Sequence, residues 1–104
     1  RVEYTLDSGG FWLEPHRNIK EKLLTFIVYL SNKPSSDTWG TVLFDRDLNP
    51  YCRMPYKLNF GFMFIPGNDT WHGFPKQKIR DVRKSLVINY VTEDWRNIHE
   101  LATS

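Results

Sequence analysis

Residues 23–30 read Leu-Leu-Thr-Phe-Ile-Val-Tyr-Leu, and this stretch decides the fold. The run is rich in β-branched and aromatic side chains, which favour strands over helices. Its length suits a strand and falls short of most helices. We therefore expect a buried strand that crosses the centre of a β-sheet.

Short strand-like segments recur along the rest of the chain, separated by residues that favour turns. The turn residues Asp7-Ser8-Gly9-Gly10 predict a tight turn between the first two of these strands. Near the end, Thr92 is a typical N-cap and predicts a short helix through Leu101. The predicted strands besides the central one are Val2–Leu6, Phe11–Leu13, Trp39–Phe44, Lys57–Phe60, Gly61–Ile65, Trp71–Phe74 and Ser85–Val91. Lys57–Phe60 and Gly61–Ile65 form either a pair of strands or one bent strand.

The chain length predicts one domain over residues 1–104. Seven or eight short strands in regular succession predict an all-β antiparallel sandwich or barrel. Periodicity alone does not choose between a jelly roll, an immunoglobulin-like sandwich and a small closed barrel. Because the first residue is Arg rather than Met, we expect the domain to be the core of a longer protein.

Charge argues against a nucleic-acid partner. The formal net charge is only +2, whereas phosphate binding needs many Lys and Arg side chains on one face. The local basic run from Lys76 to Lys84 is interpreted as a solvated connection between strands, with a polyanion-binding patch as the alternative.

Cys52 is the single cysteine, so an internal disulfide is excluded and a reducing compartment is expected. No apolar run approaches the ~20 residues of a membrane span. These features predict a cytoplasmic protein with no membrane partner.

Four polar residues, His16, Asn18, His72 and Arg83, lie beside strand-like segments. The segment Pro15-His16-Arg17-Asn18 and the strand after it resemble the His-x-Asp segment of the 2-oxoglutarate/Fe(II)-dependent oxygenases. Thr70-Trp71-His72-Gly73-Phe74 resembles the turn that presents the distal histidine of that family, and Arg83-Lys84-Ser85 resembles its Arg-x-Ser element. Trp39 to Phe44 is similar to the family's glycine-led middle strand, so the resemblance covers almost the whole chain in the right order.

The resemblance implies a double-stranded β-helix, a jelly-roll or cupin-like fold, and an oxygenase that uses Fe(II) and 2-oxoglutarate. It assigns His16, Asn18 and His72 to the metal, which such enzymes hold with two imidazoles and a carboxylate. Arg83 and Ser85, two residues apart on a strand, would bind the distal carboxylate of 2-oxoglutarate. Oxidative decarboxylation of 2-oxoglutarate would then drive hydroxylation of a small-molecule or side-chain substrate, which the sequence does not identify.

Asn18 departs from the family pattern, which has Asp, so a charged metal ligand is missing there. Glu14 shares strand parity with His16 and is the first candidate to compensate. Trp71, next to His72, is expected to line the pocket. The alternative hypothesis is a catalytically silent jelly-roll binding module, which keeps the 2-oxo acid site but lacks productive iron because of Asn18. An exposed edge strand would allow either form to make a homodimer.

Overall fold

The computed structural model describes residues 1–17, 21–31, 37–77 and 79–95. These residues form eight antiparallel strands in two four-stranded sheets, with the orders β1-β8-β3-β6 and β2-β7-β4-β5. The predicted all-β class is confirmed. The strands are β1 (Val2–Gly9), β2 (Leu13–His16), β3 (Lys22–Tyr29), β4 (Val42–Phe44), β5 (Pro50–Arg53), β6 (Gly61–Phe64), β7 (His72–Phe74) and β8 (Ile79–Val91).

The apolar run at residues 23–30 forms β3, and its predicted central position is confirmed because β3 pairs with both β8 and β6. Thr25, Ile27 and Tyr29 are buried, whereas the residues between them are only partly buried. This alternation shows that one face of β3 packs into the interior.

The predicted turn after the first strand is present, but the strands on its two sides belong to different sheets. β1 continues through Gly9 and pairs with β8, whereas β2 pairs with β7 in the other sheet. Gly9 has a positive φ of 62°, and the Phe11 amide donates to the Ser8 carbonyl at 3.2 Å. The turn therefore carries the chain from one sheet to the other. Turn chemistry predicts a change of direction, but it does not indicate which sheet receives the next strand.

The basic run from Lys76 to Lys84 is not simply a solvated connection, because its second half belongs to β8. Ile79 and Arg83 are both buried. In an unbroken strand Asp81 would share their face, but it is exposed, and the pairing of β8 with β1 shifts register in this stretch. The charge of Arg83 is tolerated inside because it is paired, as described below.

Two further segments differ from the sequence predictions. Pro50–Arg53, which lies outside the predicted strands, forms the exposed edge strand β5. Residues 57–60, predicted as a strand, form a turn in which Asn59 has a φ of 65° and the Phe60 amide donates to the Lys57 carbonyl. Aromatic content favoured a strand here, but the turn hydrogen bond leaves only Gly61–Phe64 in the sheet.

Residues 92–95, the first four of the predicted terminal helix, are not helical. The Trp95 amide donates to the Thr92 carbonyl at 3.2 Å, and the Thr92 amide donates to the Glu21 carbonyl at 2.8 Å. These bonds make a turn tied to the start of β3, with Trp95 buried. Residues 96–101 of the predicted helix lie outside the described residues. Within the described ranges, no helix has the length and apolar character needed to cross a membrane.

The hydrophobic core lies between the two sheets and is largely aromatic. Its centre is Tyr29, which is fully buried and whose hydroxyl both accepts from the Thr41 amide at 2.8 Å and donates to the Thr41 hydroxyl at 3.0 Å. The edge strands are β1, β6, β2 and β5, and a homodimer through one of them stays a prediction. The buried core residues are Ile27, Tyr29, Trp39, Tyr56, Phe74 and Ile79.

Candidate functional site

The two histidines singled out in the sequence lie side by side. His16 on β2 pairs directly with His72 on β7, and their ring centroids are 4.3 Å apart with an interplanar angle of 52°. The two residues are far apart in sequence, and antiparallel pairing of two short strands brings them together.

Both imidazoles are held in the same tautomer. The Nδ1 atom of His16 lies 3.0 Å from the Glu14 carbonyl oxygen, and that of His72 lies 2.9 Å from the Thr70 carbonyl oxygen. Because a carbonyl oxygen only accepts hydrogen bonds, each Nδ1 must carry the proton in these contacts. In a neutral ring with the proton on Nδ1, the Nε2 lone pair is available, which is the arrangement typical of metal-binding histidines.

His72 is neutral at ordinary pH. Burial lowers its pKa from 6.5 to about 4, and the positive charges of His16 and Lys22 act in the same direction. The hydrogen bond to the Thr70 carbonyl opposes the shift but does not cancel it. A neutral imidazole is the form that binds a metal ion.

A β-bulge on β2 determines which side chains meet His72. The pairing shifts between Leu13 and His16, and both of these residues line the cavity between the sheets. Glu14 instead lines an apolar groove that does not include His16. The expectation that Glu14 shares the face of His16 assumes an unbroken strand, and the bulge removes that assumption. Gly73 allows the close approach of β2, since a Cβ atom there would lie 2.6 Å from the Leu13 carbonyl oxygen.

The cavity has a volume of ≈ 290 Å³ and is lined by residues from both sheets. This lies at the lower end of the ~300–1,000 Å³ typical of small-molecule sites. One wall carries the two histidines, and the cavity also includes the predicted carboxylate-binding pair. Its polar and charged lining residues are Glu3, Thr5, Asp7, His16, Lys22, Thr25, Thr41, His72, Arg83, Ser85 and Asn89.

Arg83 is buried and its guanidinium is bonded along its edges. Nε donates to the Trp39 carbonyl at 2.6 Å, Nη1 to Asp7 Oδ2 at 2.8 Å and Nη2 to the Thr41 hydroxyl at 3.3 Å. The Phe74 ring lies on the guanidinium, 4.6 Å from Cζ to the centroid. A guanidinium has five N–H donors, and two of them have no acceptor among the described residues.

Ser85 lies two residues further along β8 and is 1% exposed. Among the described residues, its hydroxyl has no hydrogen-bond partner. A buried hydroxyl without a partner is costly, and Ser85 lines the same cavity as Arg83. A ligand that reached this hydroxyl would supply the missing hydrogen-bond partner.

The other predicted site residues are placed differently. Trp71 does not line the cavity, and its ring is covered by the Arg17 guanidinium, with Cζ 4.9 Å from the centroid. Asn18 lies outside the described residues. Asp7 and Thr41 were missed by the sequence predictions although both contact Arg83.

Two imidazoles, rather than a full ligand set, are available for a metal. Among the described residues, no group of three His, Cys, Asp or Glu side chains could hold an ion. For two imidazoles bound to one ion at a right angle, bonds of about 2.1 Å place the ring centroids about 4.5 Å apart. The observed centroid distance of 4.3 Å is close to this value.

Comparisons of the chain with protein-family models, with curated proteins and with solved structures gave no significant match.

Proposed function

We propose that the two sheets form a double-stranded β-helix, the jelly-roll fold. The supporting feature is the strand order β1-β8-β3-β6 opposite β2-β7-β4-β5. Successive strands cross between the sheets at every connection except the one between β4 and β5, so the chain winds around the interior. Eight antiparallel strands in two facing sheets are typical of jelly rolls, which supports this proposal.

We further propose that the cavity binds Fe(II) and 2-oxoglutarate and that the protein is an oxygenase that hydroxylates an unidentified substrate. One observation supports this function above all. His16 and His72, which are distant in sequence, line the same cavity between the sheets as the neighbouring residues Arg83 and Ser85. A structural role for each residue alone would not require this convergence.

The side chains suit separate roles in such a site. His16 and His72 would hold the metal through Nε2, because Nδ1 of each ring is bonded to a carbonyl oxygen. When bound, iron and 2-oxoglutarate together supply dioxygen activation for C–H hydroxylation. Arg83 and the Ser85 hydroxyl would hold the distal carboxylate by charge-assisted hydrogen bonds.

The spacing along β7 agrees with a short bridging ligand. His72 and Phe74 are two residues apart, which is about 7 Å along a strand. The Arg83 guanidinium stacks on the Phe74 ring. A ligand that reached from the histidine pair toward the Phe74 ring and Arg83 would run along β7 over about this distance.

A catalytically silent binding module is the second candidate. Asn18 would supply an uncharged amide where the family has a carboxylate, which weakens Fe(II) binding. Arg83 and Ser85 need no iron to bind a carboxylate, so the acid-binding function could persist alone.

Anaerobic titration of the metal-free protein with Fe(II) and 2-oxoglutarate tests the oxygenase proposal. We expect a visible charge-transfer band from the metal chelate in the parent chain. The band should be lost in His72→Gln and should need a higher 2-oxoglutarate concentration in Ser85→Ala. Ser8→Ala is the matched control because Ser8 is exposed on β1. A folded parent chain with no band would contradict the oxygenase and favour the silent module.

Asn18→Asp separates the two candidates. If the substituted chain consumes 2-oxoglutarate in an iron-dependent manner and the parent chain does not, the parent is the silent module. Iron-dependent consumption by the parent chain would support the oxygenase.

A further inference from the structure

The Arg83 end of the cavity already contains a carboxylate, that of Asp7. Asp7 on β1 pairs directly with Arg83 on β8, and the two side chains form an ion pair with Oδ2 and Nη1 2.8 Å apart. Both side chains are nearly buried, at 13% and 9% exposure. The pair is therefore little screened by solvent.

The surroundings of Arg83 leave room for one more acceptor group. The Thr41 hydroxyl accepts from both Arg83 and Tyr29, so its own proton can be donated elsewhere. The Ser85 hydroxyl has no partner among the described residues. Among the described residues, the protons of these two hydroxyls and two N–H groups of Arg83 thus have no acceptor, and a carboxylate in the cavity would suit them.

We propose that Asp7 is a specificity-determining residue that competes with the ligand carboxylate for Arg83. This inference rests on one part of the proposed function, the binding of a carboxylate by Arg83 and Ser85. Asp7 occupies one Nη1 position and puts a second negative charge beside the ligand. The cavity therefore binds a distal carboxylate more weakly than it would without the Asp7 carboxylate. It also discriminates less against ligands that have no distal carboxylate.

Removal of the Asp7 charge should strengthen carboxylate binding. Two carboxylates held a few ångströms apart in a partly buried site repel strongly, so we expect Asp7→Asn to bind glutarate at least about tenfold more tightly than the parent chain. Glutaramide, the neutral diamide of the same length, should gain little. The measurement is isothermal titration calorimetry on the metal-free protein with each compound.

Two further variants control the experiment. Asp7→Ser also removes the charge but keeps an oxygen at this position, and it provides a second test if Asp7→Asn fails to fold. Asp47→Asn removes one negative charge from the exposed loop after β4, and it should leave glutarate binding unchanged. Thermal unfolding establishes which variants are folded.

The outcomes separate this inference from the oxygenase proposal because glutarate cannot chelate iron through a 2-oxo group. If the Asp7 variants bind glutarate more tightly, while glutaramide binding and the Asp47→Asn variant are unchanged, the competition is supported. This holds whether or not the iron chelate band is seen. Equal or weaker glutarate binding in folded Asp7 variants overturns it, even if the parent chain gives the band. An equal gain for glutaramide also overturns it, because the effect would then not depend on ligand charge.

Discussion

Protonation of His72 should destabilise the fold as the pH falls below neutrality. Burial lowers the pKa of His72 from 6.5 to about 4, so the unfolded chain takes up a proton at a higher pH than the folded protein. Between these two values the unfolded state binds more protons, and the free energy of unfolding therefore falls with decreasing pH. At pH values above about 6.5 this contribution is fully present.

The size of the effect follows from the pKa difference. A shift of one pKa unit corresponds to about 1.4 kcal/mol, so the loss between about pH 7 and pH 4.5 should be about 2 kcal/mol from His72 alone. Urea unfolding followed by tryptophan fluorescence at both pH values gives the free energies.

His72→Asn provides the comparison, because Asn does not titrate and the carboxylates contribute equally to both proteins. The parent chain should lose about 2 kcal/mol more than the variant over this range. Equal losses in the two proteins would refute the claim that His72 is buried in the neutral form.

Three further predictions concern the cavity and its walls. Ser85→Ala should weaken glutarate binding but leave the free energy of unfolding unchanged or raise it by up to about 1 kcal/mol. A lower free energy in urea unfolding would show that the hydroxyl is already hydrogen-bonded. Arg83→Met should lower the free energy of unfolding by about 3–5 kcal/mol because it leaves the Asp7 carboxylate buried without its partner, and adding Asp7→Asn should restore part of this loss. Strictly additive effects in the double-mutant cycle would contradict the ion pair. Gly73→Ala should destabilise by about 1–3 kcal/mol because its Cβ would meet the β2 backbone, whereas Gly10→Ala, with open space around the added atom, should change little; equal thermal shifts would be inconsistent with the close approach.

The local sequence pattern was sufficient to predict the all-β class and the position of the central strand. The apolar run at residues 23–30 identified β3 because strand propensity and burial agree there. The spacing of Arg83 and Ser85 placed both on one face, and both line the cavity because β8 is regular at these positions. Such inferences hold where a strand is unbroken.

The remaining features depend on register, which the sequence alone does not reveal. Asp7 stands in a stretch of turn-forming residues, so its pairing with Arg83 followed only from the alignment of β1 and β8. Glu14 was misplaced because a bulge on β2 changes the face that it presents. The tautomers of His16 and His72 depend on backbone carbonyl positions that no side-chain pattern encodes.

The most direct test of the proposed site is a crystal structure of the protein soaked anaerobically with Mn(II), a redox-stable substitute for Fe(II), and 2-oxoglutarate. We expect an anomalous peak about 2.1 Å from Nε2 of both His16 and His72. The distal carboxylate of the ligand should lie at Arg83 and the Ser85 hydroxyl. A metal bound elsewhere, or a cavity that holds neither metal nor acid at saturating concentrations, would contradict a shared metal and carboxylate site between the sheets.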